Sequence, residues 1–72
     1  MTKTYRIEVD CANCANRMER EILKIEGVES ASVHFFTSKL TVTFTEGADV
    51  ERVLQTVIQK CKRIEEDFEI YL

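Results

Sequence analysis

The sequence predicts an α+β fold, a two-layer sandwich whose elements follow the order βαββαβ. Three observations carry that prediction. Apolar residues alternate with polar ones in four short runs, the period of a half-buried strand. They recur three and four apart in two longer runs, the period of an amphipathic helix. Between the runs stand Gly27, the triplet Thr37-Ser38-Lys39, the stretch Glu46-Gly47-Ala48-Asp49 and the charged residues Lys62 to Asp67, and none of the 72 residues is proline.

The first strand is read over Thr4 to Val9, with Tyr5, Ile7 and Val9 on one face. From about Asn13 to Ile25 the positions Ala15, Met18, Ile22 and Ile25 form a helical stripe, and Gly27 is expected to stop it. Ala31, Val33 and Phe35 alternate, Thr37-Ser38-Lys39 offers a turn, and Leu40, Val42 and Phe44 alternate again, which reads as a β-hairpin. Asp49 is expected to cap a second helix whose stripe is Val50, Val53, Leu54, Val57, Ile58 and Cys61. Phe68, Ile70 and Leu72 alternate and supply a closing strand. Two β-α-β units with right-handed crossovers then place both helices on the apolar face of one four-stranded antiparallel sheet, the ferredoxin-like arrangement, and leave the other face polar.

Seventy-two residues, 44% apolar and 32% charged, are expected to form a single domain over 1–72 with one modest core. A net charge of -3 gives no positive field for phosphates, which argues against a nucleic-acid partner. No run approaches the roughly 20 apolar residues of a membrane span, and the N-terminus lacks a signal-peptide pattern, so no direct membrane insertion and a cytoplasmic location are expected. The initiating Met and a last strand ending at Leu72 fit a complete small protein, although a domain of a longer transporter has the same appearance. Three cysteines cannot all pair within one chain, and a reducing compartment favours metal or redox duty for them.

The chemistry concentrates in Cys11-Ala12-Asn13-Cys14, at the point where the first strand hands over to the first helix. Thiolates are soft ligands, and unpaired backbone N–H groups at a helix N-terminus favour the ionised form. Two sulfurs three residues apart reach one ion, underfill tetrahedral zinc, satisfy near-linear Cu(I), and leave room for an incoming partner's donors. An open pair of this kind suits transfer better than permanent structural binding, and no enzymatic role is expected. A thiol-disulfide oxidoreductase also uses Cys-x-x-Cys at a helix start, but the thioredoxin-like fold needs a longer chain and a proline beside the site. A closed zinc site would require Cys11, Cys14, Cys61 and His34 to converge, and strand alternation turns His34 away from the core.

The motif Asp10-Cys11-Ala12-Asn13-Cys14-Ala15, the helix end Ile25-Glu26-Gly27-Val28 and the βαββαβ order together resemble the heavy-metal-associated domain family, over essentially the whole chain. That family includes soluble copper and mercury chaperones and the N-terminal domains of metal-transporting P-type ATPases. The resemblance implies that Cys11 and Cys14 are the metal ligands. It also implies a partner: a heavy-metal-transporting P-type ATPase or another metal-transfer protein, met by a monomer or by a metal-bridged dimer. Family members usually carry Gly-Met ahead of the motif, where Glu8 and Val9 stand here.

Asp10 bears on which ion is carried. A carboxylate beside the first thiol adds a harder donor and favours Zn(II), Cd(II) or Pb(II) over Cu(I), and the order Asp-Cys-x-x-Cys is similar to that of the zinc, cadmium and lead exporters. Asp10 reads equally well as a helix N-cap or a solvated loop charge. Cu(I) is the alternative cargo. Cys61 has two readings, the last small apolar residue of its helix stripe or a third thiolate brought beside Cys11 and Cys14 by the following loop. Lys60, Lys62 and Arg63 are candidates to balance the charge of a thiolate complex. Met18 reads as core, Tyr5 and Tyr71 as structural, and His34 and Phe36 as residues of the outer sheet face. Glu65-Glu66-Asp67 reads as a solvated turn, or with Arg17, Arg20 and Lys24 as part of a salt-sensitive docking surface.

Overall fold

The alternating apolar runs form one antiparallel sheet. In the computed structural model, which describes residues 1–71, the elements are β1 Thr2–Glu8, α1 Ala12–Leu23, β2 Val28–His34, β3 Lys39–Phe44, α2 Val50–Ile64 and β4 Glu69–Tyr71. The strand order is β2-β3-β1-β4, with every neighbouring pair antiparallel. Leu72, assigned above to the last strand, lies outside the described residues.

One face of this sheet is sealed. Ile7, Ala31, Leu40, Val42 and Phe44 from the strands pack into a single cluster with Met18 and Ile22 of α1, with Val53, Leu54, Val57 and Cys61 of α2, and with Phe68. The opposite face carries threonine ladders, Thr2 Oγ1 to Thr43 Oγ1 at 3.0 Å and Thr4 Oγ1 to Thr41 Oγ1 at 3.2 Å. A half-solvated antiparallel sheet has this division of residues, because its outer side chains satisfy one another and water.

The differences from the expected boundaries have local causes. β1 begins two residues early because Thr2 and Thr4 pair with Thr43 and Thr41, an extension that polar residues conceal. β2 carries a register shift between Val28 and Ser30, so Val28 and Ala31 both face the core although they are three apart. The hairpin turn lies at Phe35 to Ser38, not Thr37 to Lys39: Ser38 N–H donates to Phe35 O at 3.3 Å, and Ser38 takes φ 55°. Phe35 therefore belongs to the turn, and Lys39 to β3. α1 ends at Leu23, and Gly27, φ 98°, serves the turn into β2 instead of stopping the helix. A Cβ there would stand 2.7 Å from Val53 Cγ2, so glycine also permits the close approach of α2. Asp49 caps α2 as expected, accepting from Arg52 N–H at 3.4 Å. α2 runs one turn past Cys61, which half-buries Ile64 and delivers Glu65 to the following corner.

Candidate metal centre

The end of β1, the β2-β3 turn and the corner after α2 meet at one end of the sheet. Ile7 N–H donates to Ser38 O at 2.9 Å, tying β1 to the turn. Asp10 N–H donates to both carboxylate oxygens of Glu65, at 3.3 and 3.2 Å, tying the segment after β1 to the corner after α2. The cysteine loop is thus anchored on both sides.

Cys11 is the N-cap of α1. Its backbone is extended, φ -132° and ψ 123°, its carbonyl accepts from Ala15 N–H at 3.0 Å, and its Sγ accepts from Cys14 N–H at 3.4 Å. A sulfur therefore occupies the place usually taken by a hydroxyl or carboxylate oxygen, receiving a backbone donor that would otherwise lack a partner. Capping fixes the direction of this side chain: it lies over the helix end, at the rim, half-exposed to solvent. Cys14, one turn in, is also half-exposed and rests partly against the core.

That geometry gives the two sulfurs different characters. Hydrogen bonding from the Cys14 backbone, reinforced by the Cys14 thiol and by Asn13, lowers the pKa of Cys11. Cys14 moves the other way, chiefly because its thiol donates to Cys11, then through partial burial and the negative charges of Cys11 and Glu65, with Arg17 opposing. The expectation that the helix terminus favours thiolate holds for Cys11 and is reversed for Cys14. In chemical terms the pair is one thiol that ionises more readily than usual beside one that ionises less readily, soft donors of the kind that hold a heavy-metal ion once both are deprotonated.

The remaining sequence candidates are distributed as follows. Asp10, next to Cys11 in the chain, is exposed and is not the helix cap. Cys61 is 0% exposed within the core, where burial pushes its thiol up to about 12. Among the described residues no three His, Cys, Asp or Glu side chains converge on a common point, so Cys11, Cys14 and Cys61 do not form a cluster. His34 is exposed on β2, and Met18 is completely buried. Lys60 is engaged 3.7 Å from Glu21, across the α1-α2 contact. Phe36, placed above on the outer sheet face, is 97% exposed in the turn, edge-to-face with Phe35 at 5.6 Å, beside an open groove of about 520 Å³ shared with Ala12, Ala15 and Asn16. Glu65 is the residue whose place at the site sequence reasoning missed. A turn-like acidic run gave no sign of a contact spanning 55 positions.

No helix among the described residues is long and apolar enough to cross a membrane. The heavy-metal-associated domain family model matches residues 4–63. A probable cadmium-transporting ATPase of Listeria monocytogenes is 50% identical over 40 residues, 54% of this chain and 6% of that protein. The cadmium, zinc and cobalt-transporting ATPase of Bacillus subtilis is 35% identical over 57 residues, 79% of this chain and 8% of that protein. The chain thus spans under a tenth of the length of these relatives. Among solved structures, the Cu(I)-loaded N-terminal domain of a potential copper-translocating P-type ATPase from Bacillus subtilis superposes with TM-score 0.74 at 33% identity, covering 99% of this chain and 84% of that one. Fold, motif position and the extent of the match agree, and the chain belongs to the heavy-metal-associated domain family, a family of metal-binding modules.

Proposed function

We propose that this domain binds one heavy-metal ion through Cys11 and Cys14 and passes it to a partner by stepwise exchange of sulfur donors. The observation that carries the reading is the half-exposed Cys11 sulfur, held at the N-terminus of α1 by the Cys14 N–H, one helical turn from the half-exposed Cys14 thiol. Cys11, whose ionised form the backbone favours, is the readier donor, and Cys14 completes the pair when its proton leaves. Two protein donors leave coordination positions for a partner's thiolates, so the ion need never be free during transfer. A metal-transporting P-type ATPase or another metal-transfer protein in the cytoplasm fits as that partner, and the domain itself is not catalytic.

The cargo in this reading is divalent: Zn(II), Cd(II) or Pb(II). Asp10 at the rim and relatives named for cadmium support it. Cu(I) is the second reading, favoured by the 33% identical copper-translocating neighbour and by the sufficiency of two thiolates for that ion. Competitive titration of the reduced protein against chelators, with each ion offered in turn, tests the choice. Cu(I) binding that ignores Asp10→Ala, with no measurable affinity for Zn(II) or Cd(II), would refute the divalent reading.

A further inference from the structure

We propose that Glu65 is a specificity-determining residue, clamped on Asp10 N–H at the edge of the cysteine loop, where its negative charge favours a divalent ion over Cu(I) on the same two thiolates. The inference rests on the reading that the ion sits on Cys11 and Cys14. Both carboxylate oxygens of Glu65 accept from one backbone N–H at 3.3 and 3.2 Å, which fixes the charge in place instead of leaving it on a free side chain. Among the described residues no Lys or Arg comes within ion-pair distance of it, the pairs present being Lys24 and Lys60 with Glu21. Glu65 is half-buried, and its field reaches both sulfurs, opposing negative charge on each.

The charge count decides the direction. Two thiolates bring two negative charges, so a bound divalent ion leaves the centre neutral and bound Cu(I) leaves it with one negative charge. Whatever protons the free pair carries, the two complexes differ by one unit of charge, and a nearby carboxylate therefore acts on their ratio. At a partly solvated site a charge pair of this kind changes an equilibrium by about three- to fivefold. The Asp10 carboxylate contributes in the same sense but is exposed and more fully screened.

The test is Glu65→Gln, which removes the charge and keeps an oxygen able to accept from Asp10 N–H. Cu(I) and Cd(II) affinities are measured on the same reduced preparation against competing chelators, so any general loss of folding cancels in their ratio. Glu66→Gln, one residue further into the exposed corner, is the control. The expected result is a Cu(I)-to-Cd(II) affinity ratio raised about three- to fivefold by Glu65→Gln, unmoved by Glu66→Gln, and closing towards one at about 1 M salt, where screening acts within about 3 Å. An unchanged ratio, an equal shift in both variants, or a shift that high salt leaves intact, as a direct metal-oxygen bond would give, overturns the proposal. A wild-type protein that simply prefers Cu(I) overturns the divalent reading instead, because the Glu65 result is a difference between variants.

Discussion

Replacing Cys61 with alanine separates a core residue from a third ligand. Its side chain is 0% exposed on the sheet-facing side of α2, and burial raises its thiol from 9.0 to about 12. A difference of about 3 pH units at about 1.36 kcal/mol each makes its thiolate, the form that coordination requires, about 4 kcal/mol too costly. Removing one buried heavy atom costs about 1 kcal/mol, which in a domain of this size lowers Tm by about 4–8 °C. The variant is expected to melt earlier while keeping the full Cd(II)-thiolate absorption per bound ion. Burial also makes the wild type sensitive to alkali. The fold holds the Cys61 thiol neutral while the unfolded chain ionises it near pH 9, so this stabilisation is complete below about pH 9. It declines by up to about 1.4 kcal/mol per pH unit towards pH 12, a slope that the alanine variant lacks. An unchanged Tm together with absorption lowered by about a third, the share of one thiolate in three, would refute the argument.

Three further outcomes follow from the geometry. Cys11→Ser keeps an N-cap acceptor for Cys14 N–H, so the unfolding free energy from denaturant titration should change by less than about 0.5 kcal/mol, while Cd(II) affinity falls by more than about 100-fold. Because Cys14, held above the ordinary thiol pKa, must lose its proton on uptake, Cd(II) affinity measured between pH 8 and pH 6 should fall with acidity by at least about tenfold per pH unit; a flat profile would contradict coordination by Cys14. Gly27→Ala should cost more than about 2 kcal/mol in urea unfolding, since φ is 98° and the new Cβ meets Val53, whereas Gly47→Ala, at φ 80° with open space around it, should cost about 1 kcal/mol.

The architecture was legible because its periods are strong. Leu40, Val42 and Phe44 alternate on β3, and the α2 stripe from Val53 to Cys61 keeps helical spacing, so both elements declare their buried faces. What stayed hidden were features without a local pattern. The bulge in β2 places Val28 and Ala31 inward three residues apart, a spacing that suits neither strand nor helix. The hairpin turn sits earlier than its Thr-Ser-Lys composition suggests, because β3 pairs from Lys39 onward with both its neighbours. At the rim, the cysteine pair was visible, but the capping role was not: Asp10 is the better cap by residue type, and the chain direction leaving β1 gives that place to Cys11. The Glu65 contact joins positions too distant in sequence for any local rule to couple them.

On the proposed reading, a sulfur that starts a helix while also receiving cargo links two events that most binding sites keep apart. When the ion arrives, the Cys14 amide must share its acceptor with a cation, and the opening turn of α1 feels that competition first. The sheet behind it meets the helices through apolar side chains, and its ladder hydrogen bonds do not involve that amide. In that reading, loading and unloading should register as a local loosening and tightening of a few peptide units.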